Sequence, residues 1–233
     1  MTFIGEVEGD PAHELYRISD ATRQSDGTVA VGNSSTGEVR FFDKGGAFLR
    51  KVGSVGGGPG EFQANGLRTV RRVAGDTLFT WDLLGRRASI FAPAGAFVRS
   101  FNLNGPAQQH FFSGVFADRS LLMYVFEHPP REPGEPIEEG VSRTPITLHH
   151  YGADQRLTGS IRDIPGPERF RGRWGPYGSI SVEPPLGRVT SVSVGGNRTY
   201  VSNGNADEIS VYDKSENLVM LIRRRLNPTP VTP

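Results

Sequence analysis

The sequence contains no cysteine, which excludes disulfide bonds, thiolate nucleophiles and cysteine-ligated zinc or iron–sulfur sites. Lysine is scarce, and the formal net charge is only +1, so no strong overall field attracts nucleic acid or an anionic membrane. No apolar run approaches the ~20 residues of a membrane-spanning helix. The first ten residues lack the basic and apolar regions of a signal peptide, so we expect neither a transmembrane segment nor a visible leader.

Glycine and proline are abundant instead, with 30 Gly and 17 Pro among 233 residues. Together they form about a fifth of the chain, below the ~25–30% that is typical of low-complexity disorder. The 36% of hydrophobic residues, including 14 Phe, are enough to build a core. We therefore expect many short elements joined by tight turns, which favours β structure.

One pattern recurs four times along the chain. An alternating segment ends in an aromatic residue, a turn follows, and a large apolar residue stands six positions after the aromatic one. The four pairs are Phe42 with Phe48, Phe91 with Phe97, Tyr151 with Leu157, and Tyr212 with Leu218. Each copy predicts a β-hairpin, because alternation gives a strand with one buried face and the Asp/Gly/Pro/Lys cluster supplies the turn.

Two further predicted strands precede each hairpin, so each repeat is a four-stranded meander of about 50 residues, the size of a propeller blade. The predicted fold is all-β, a β-propeller of four-stranded antiparallel blades at residues 13–53, 64–104, 111–164 and 187–226. A β-sandwich with coincidental similarity is the alternative. Residues 127–144, rich in Glu and Pro, predict a solvated loop insertion in the third blade, with a partner-binding or calcium-attracting role as the alternative.

A Gly-rich segment carries a family resemblance. Residues 52–62 have the sequence VGSVGGGPGEF, which resembles the G-x-G-x-G-P-G-E-F inter-blade loop of NHL-type six-bladed β-propellers, a group with many bacterial members. The later run at residues 184–188, PPLGR, is similar to the same group, and the resemblance extends over residues 13–226. It implies six blades, of which four are visible, so we expect a truncated propeller whose missing last blade is completed by residues 2–8. It also implies export in bacteria, and most members have no assigned activity.

The same Gly-rich segment could suggest a phosphate-binding loop. It lacks the Gly-Lys-Ser/Thr ending of a P-loop and does not open a helix, so we interpret it as a tight crossover between blades.

Candidate ligand-binding residues stand where the inner strands begin, at the expected channel mouth: Arg17, Arg68, His110 and Arg188. This basic set suits a carboxylate, phosphate or sulfate, and solvated rim charge is the alternative interpretation. A second candidate is the predicted loop between the third and fourth blades, where Arg171, Arg173 and Trp174 combine cations with an aromatic ring. His149 and His150 fall on an outer type of strand, and we expect them at the surface.

These patterns predict a non-catalytic binding scaffold with a protein, peptide or glycan ligand, without nucleic acid and without a cofactor. The alternative is a metal-dependent propeller enzyme of the lactonase or peptidylglycine-lyase type, which alone would need a divalent metal. A third possibility is an interaction module of a larger multidomain protein. No histidine spacing typical of metal ligands and no nucleophile motif occurs in the sequence.

Overall fold

The computed structural model describes residues 3–5, 9–103, 109–128, 138–175 and 178–224, except for the side chain of Trp174. These residues form 19 β-strands and one short 3₁₀ turn, Ala74–Asp76. The chain divides into two compact units, the first ending at Phe112 and the second beginning at Ser113.

The first unit contains two four-stranded antiparallel sheets, each with its strands in chain order. The first sheet consists of β1 (Ile18–Arg23), β2 (Val29–Asn33), β3 (Glu38–Phe42) and β4 (Phe48–Val52). The second sheet consists of β5 (Leu67–Arg72), β6 (Leu78–Asp82), β7 (Arg87–Phe91) and β8 (Phe97–Asn102).

Three further sheets follow, and the boundary between the two units falls inside the first strand of the third sheet. The third sheet consists of β9 (Phe111–Val115), β10 (Leu121–Phe126), β12 (Ile146–Tyr151) and β13 (Leu157–Ile164). A three-stranded sheet consists of β11 (Gly140–Arg143), β14 (Glu168–Trp174) and β15 (Gly178–Val182). The fourth sheet consists of β16 (Ser191–Gly195), β17 (Arg198–Ser202), β18 (Glu208–Tyr212) and β19 (Leu218–Arg223).

The four predicted hairpins are present in the predicted register. Each aromatic residue ends a strand and pairs with the apolar residue six positions later, as in Phe42 with Phe48 and Tyr212 with Leu218. The same pairing joins Phe91 to Phe97 and Tyr151 to Leu157. The all-β class with four-stranded antiparallel propeller blades is therefore confirmed. The hairpins could be predicted because alternation and turn chemistry act within each of them.

The three-stranded sheet corrects two predictions. Part of the predicted 127–144 loop insertion is strand β11, and the predicted loop carrying Arg171 and Arg173 is strand β14; the two strands pair antiparallel. The physical reason is local: beyond the Pro-rich stretch, residues 140–143 have backbone N–H groups free to pair, and Arg/Phe alternation in β14 has the strand period of two. Residues 129–137 lie outside the described residues.

The predicted closing strand at residues 2–8 is described only in part. Residues 3–5 form no strand, and residues 2 and 6–8 lie outside the described residues. The described N-terminal segment is instead held by Arg40, whose Nη1 donates to the carbonyl oxygens of Pro11 at 2.8 Å and Glu14 at 2.7 Å.

Each unit has its own apolar core, placed between two successive sheets. In the first unit the core joins the first and second sheets: Ala30, Val39, Phe41, Phe62, Leu67, Val70, Leu78 and Phe91. In the second unit the core joins the third and fourth sheets: Phe116, Leu122, Ile146, Leu148, Ile164 and Val201, with Val192, Val194 and Tyr212 packed against them.

Candidate functional site

Two of the predicted ligand-binding residues, Arg17 and Arg68, lie at the starts of β1 and β5, the first strands of the two sheets of the first unit. Arg17 directly precedes β1, Arg68 is the second residue of β5, and both side chains are exposed. The pairing of each strand is interrupted at its start, between Ile18 and Asp20 in β1 and between Leu67 and Thr69 in β5. Such bulges redirect a side chain, and Arg68 occupies the bulged position itself.

Arg17 is held in an unfavourable backbone conformation. Its φ is 55° and that of Asn65 is 59°, both in the left-handed region that glycine favours. Nη1 of Arg17 donates to Oδ1 of Asn65 at 3.0 Å and so connects the segments that precede β1 and β5. A left-handed non-glycine residue costs on the order of 1–2 kcal/mol, and backbone strain of this kind is often found at binding sites.

Asp20 fixes the two inner strands side by side. Its carboxylate accepts from Nη1 of Arg71 at 2.7 Å and from the backbone N–H of Val70 at 3.0 Å. Among the described residues, no hydrogen bond or ion pair neutralises the guanidinium of Arg68. The carboxylates of Asp20 and of Asp82, which is paired with Leu67 in the sheet, are both engaged by N–H donors of the chain, whereas the guanidinium of Arg68 is exposed.

The other two predicted residues of this set lie elsewhere. His110 is buried, and its backbone carbonyl accepts from Nε1 of Trp81 at 2.8 Å. Arg188 belongs to the second unit, where its Nη1 lies 3.5 Å from Oε1 of Glu168. Of the four predicted residues, the structure places Arg17 and Arg68 at the starts of two strands of the first unit that contact each other, β1 and β5.

The arginines of the second predicted site lie on β14, and each has a partner. Arg171 donates to Oγ1 of Thr144 at 3.0 Å, and Nε of Arg173 lies 3.3 Å from Oε1 of Glu139. The preceding Arg169 pairs with Glu183 at 3.1 Å. The side chain of Trp174 lies outside the described residues. These guanidinium groups stabilise the three-stranded sheet and its edges.

The Gly-rich segment is a crossover, as interpreted from the sequence. The backbone N–H of Phe62 donates to the Ser54 carbonyl at 2.9 Å, and the Phe62 ring is fully buried in the first core. The carboxylate of Glu61 accepts from the N–H of Gly58 at 2.7 Å. A carboxylate of the chain itself therefore takes the place that a bound phosphate would need.

A buried polar cluster in the second unit was missed. The prediction that His149 and His150 lie at the surface is wrong, since both are buried. Nε2 of His150 lies 3.0 Å from Oγ of Ser120, and its Nδ1 lies 3.6 Å from Oε1 of Glu216. The Ser120 hydroxyl donates to Oδ1 of Asp118 at 2.6 Å. Repeat alignment could have revealed the cluster, because His150 occupies the register position of the buried Phe41.

The electrostatics of this cluster are set by its neighbours. Hydrogen bonds from Lys214 and Ser120 hold the pKa of Asp118 well below its usual range. Burial is the main reason that the pKa of His149 is lowered, and its Nδ1 lies 2.8 Å from Oγ of Ser160. Asp118 is thus a charged acceptor at the surface end of the cluster.

The cluster contains serine, histidine and carboxylate, but it lacks the access that nucleophilic catalysis needs. Ser120 is only 2% exposed, and its proton is directed to Asp118. The cavity beside His150 and Glu216 has a volume of about 10 Å³, room for at most one water molecule. We interpret the cluster as a set of buried polar contacts that connects the third and fourth sheets.

The described residues contain no group of three or more His, Asp or Glu side chains arranged to hold a metal ion. Within the same part of the chain, no helix has the length and apolar character needed to cross a membrane.

Comparison with known proteins finds a solved structure with a similar fold, but no sequence family to which the chain can be assigned. No protein-family model and no curated protein matches the sequence. Among solved structures, a protein from Bacteroides fragilis that is named as an exported protein superposes with a TM-score of 0.52 at 11% identity, over 96% of this chain and 75% of that chain. At this identity the likeness concerns the fold alone.

Two lyase structures are more distant. Virginiamycin B lyase from Staphylococcus aureus has a TM-score of 0.43 at 9% identity, over 89% of this chain and 70% of that chain. A streptogramin B lyase has a TM-score of 0.41 at 8% identity, over 90% of this chain and 84% of that chain.

Proposed function

We propose that the protein is a non-catalytic binding scaffold of the β-propeller type, which binds an acidic group of a protein, peptide or glycan ligand at the start of its inner strands. The observation that carries the proposal is the exposed guanidinium of Arg68, set on a bulge of β5, together with the strained Arg17, which bonds to Asn65 just before that strand. An exposed guanidinium whose neighbouring carboxylates are engaged by other donors is suited to receive an anion.

The chemistry of the guanidinium determines the ligand class. Its planar array of N–H donors matches the oxygens of a carboxylate, phosphate or sulfate, and charge-assisted hydrogen bonds contribute about 1.5–3 kcal/mol each. Nη1 of Arg17 is engaged by Asn65, which orients the side chain before a ligand arrives. Preorganisation of this kind lowers the entropic cost of binding.

We further propose that the chain forms part of an NHL-type six-bladed propeller and that it is exported from a bacterial cell. The four repeated blades and the Gly-rich crossover support the first statement. The name of the similar protein from Bacteroides fragilis supports the second.

The binding proposal is tested by titrating the chain with inorganic phosphate and with short acidic glycans, followed by calorimetry and by NMR shifts of residues near β1 and β5. Replacing Arg68→Gln should weaken binding by about tenfold, the loss of one charge-assisted contact. Arg156→Gln, which removes another exposed charge, this one from the second unit, should leave affinity unchanged. Equal weakening by both variants, or no binding to any acidic probe, would contradict the proposal.

The metal-dependent enzyme expected as the alternative would need three or four converging carboxylate, Asn or His ligands. Elemental analysis of the purified chain tests it: a stoichiometric divalent metal that survives dialysis would favour the enzyme over the scaffold.

A further inference from the structure

The dipeptide Asn-Gly occurs three times in the sequence, at residues 65–66, 104–105 and 203–204. Residues 104 and 105 lie outside the described residues. In this dipeptide the next backbone nitrogen can attack the side-chain amide of asparagine, because glycine has no Cβ to obstruct the approach. The sequence alone gives no reason for the two described pairs to differ, and in the structure both asparagines are half-buried.

The side chain of Asn203 is folded over its own backbone. Its Oδ1 accepts from the backbone N–H of Asn205 at 3.0 Å, which closes an Asx turn whose ring contains the nitrogen of Gly204. The same hydrogen bond polarises the amide of Asn203, so that its carbon Cγ becomes a better electrophile. Gly204 is exposed with a φ of 70°, and among the described residues nothing accepts from its N–H.

Arg143 acts on the nucleophile of this pair. Its Nη2 donates to the backbone carbonyl oxygen of Asn203 at 2.5 Å, and its Nη1 donates to Oδ1 of Asn205 at 2.6 Å. When the Gly204 N–H loses its proton, the negative charge spreads over the peptide to the Asn203 carbonyl oxygen, where the guanidinium stabilises it. Arg143 therefore favours the deprotonated nitrogen that attacks.

The Asn65–Gly66 pair has the opposite arrangement. Gly66 is buried, and its N–H donates to the Gln63 carbonyl oxygen at 2.7 Å. Oδ1 of Asn65 accepts from Nη1 of Arg17 at 3.0 Å, so its carboxamide is directed to the segment before β1 and not to its own backbone. In this pair the nucleophile is engaged and the electrophile is held elsewhere.

We propose that Asn203 is a site of self-modification, at which the folded chain converts asparagine into isoaspartate and aspartate. The Gly204 nitrogen loses its proton to water and bonds to Cγ of Asn203, while the Cγ–Nδ2 bond breaks and the amide leaves as ammonia with that proton. Water then opens the cyclic imide at Cγ, which gives aspartate, or at the backbone carbonyl carbon, which gives isoaspartate.

The products change the contacts of Arg143. Both add a negative charge to the loop between β17 and β18. In isoaspartate the main chain runs through the side-chain carbon and gains a methylene, and the carbonyl that accepts from Arg143 becomes a free carboxylate. The modification therefore acts on the hydrogen bonds that connect β11 to this loop.

The test is peptide mapping by mass spectrometry of the chain incubated in mildly alkaline buffer, with and without concentrated urea. In the folded chain Asn203 should lose ammonia about tenfold faster than Asn65, because Gly66 must first give up its hydrogen bond. In urea the two rates should converge, since both sites are then unstructured Asn-Gly dipeptides.

A variant tests the role of Arg143. Arg143→Gln keeps a neutral donor without the charge, and it should slow the reaction at Asn203 while leaving the rate at Asn65 unchanged. Arg156→Gln, which removes an exposed arginine of the same unit, is the matched control and should change neither rate. Circular dichroism establishes that both variants are folded, and should Arg143→Gln fail to fold, the wild-type comparison with and without urea decides.

Two results would overturn the proposal. One is a folded chain in which Asn203 and Asn65 react at the same rate, or in which unfolding accelerates Asn203 as much as Asn65. The other is a folded Arg143→Gln variant that reacts at Asn203 as fast as the wild type. Neither result depends on anion binding at Arg68.

Discussion

Nε2 of His150 lies 3.0 Å from Oγ of Ser120, in the contact region between the third and fourth sheets. In the first sheet the position equivalent to His150 is occupied by Phe41, which is fully buried. The imidazole has a carboxylate at its other nitrogen, since Nδ1 lies 3.6 Å from Oε1 of Glu216. The approach of Glu216 is close: a Cβ on Gly159 would lie 1.9 Å from Oε1. A histidine with two polar neighbours thus occupies the position that an apolar ring fills in the first sheet.

His150→Ala should lower the free energy of unfolding by about 2–3 kcal/mol, because it leaves a cavity and removes a partner from the buried Ser120. Urea denaturation measures the loss. His128→Ala, an exposed histidine in the same unit, should change stability by less than about 0.5 kcal/mol. Similar losses in both variants would show that the burial of His150 contributes nothing.

The second prediction concerns acid stability and Glu38. Burial alone would raise the pKa of Glu38, but hydrogen bonds from Lys51, Arg40 and Thr36 together lower it from its ordinary value of 4.5. Because the folded-state pKa is the lower one, this stabilisation is complete above pH 4.5 and is lost as the pH falls through the folded-state pKa.

Glu38→Gln should therefore reduce stability at pH 7 and flatten the decline of stability below pH 4.5. Urea unfolding followed at a series of pH values measures both effects. Glu183→Gln, which removes an exposed ion pair with Arg169, is the control and should reproduce neither. If the stability of Glu38→Gln declined below pH 4.5 as steeply as that of the wild type, this would be evidence against the pairing of Glu38 with Lys51 and Arg40.

The third prediction concerns Arg143 of β11. Its guanidinium donates to five oxygens at 2.5–3.2 Å: the carbonyls of Pro165, Gly166 and Asn203, Oγ1 of Thr190 and Oδ1 of Asn205. A lysine ammonium has three donors and cannot replace the planar array. Arg143→Lys should cost about 2–3 kcal/mol of unfolding free energy, measured by chemical denaturation.

Arg156→Lys is the matched control for Arg143, because the Arg156 side chain is largely exposed and, among the described residues, it pairs with Asp154, two positions earlier in the sequence. Its stability should stay within about 0.5 kcal/mol of the wild-type value. If Arg143→Lys left the free energy of unfolding unchanged, water would donate to these oxygens as well as the guanidinium does.

The fourth prediction distinguishes two glycines of the crossover. Gly53 has a φ of 84°, and a Cβ there would lie 2.7 Å from Cε2 of Phe62 and 2.8 Å from the Gly37 carbonyl oxygen. Gly53→Ala should therefore lose about 2–4 kcal/mol through backbone strain and overpacking. Thermal and urea unfolding both report this change.

Gly57→Ala is the control within the same crossover. A Cβ on Gly57 would meet nothing within 4 Å, so stability should change by less than about 1 kcal/mol. If the two alanine variants behaved alike, the packing of the crossover against Phe62 would be refuted.

The hairpins could be predicted from the sequence because their determinants are local. The aromatic residue, the turn and the apolar residue six positions later occupy one short segment, and Phe42 pairs with Phe48 as expected. The three-stranded sheet could not be predicted in this way. β11 pairs with β14 across two intervening strands, as in Gly140 with Arg171, and no local pattern specifies which distant edge a short strand will join.

The candidate site was predictable only in its chemistry. The sequence indicated basic residues at the starts of inner strands, and among them were Arg17 and Arg68. It could not indicate that His110 is buried or that Arg17 reaches Asn65, because the latter are 48 residues apart and meet only when two sheets pack.

The repeated meander is encoded locally, since alternation and turn residues act over distances of a few residues. Which polar side chains are buried and which apolar ones stay exposed depends on how the sheets pack against one another. Alternation assigns His150 and Met220 to one of the two faces of a strand, but it does not indicate whether another sheet covers that face. Their environments differ because His150 is buried where the third and fourth sheets meet, whereas Met220 on the edge strand β19 stays 45% exposed.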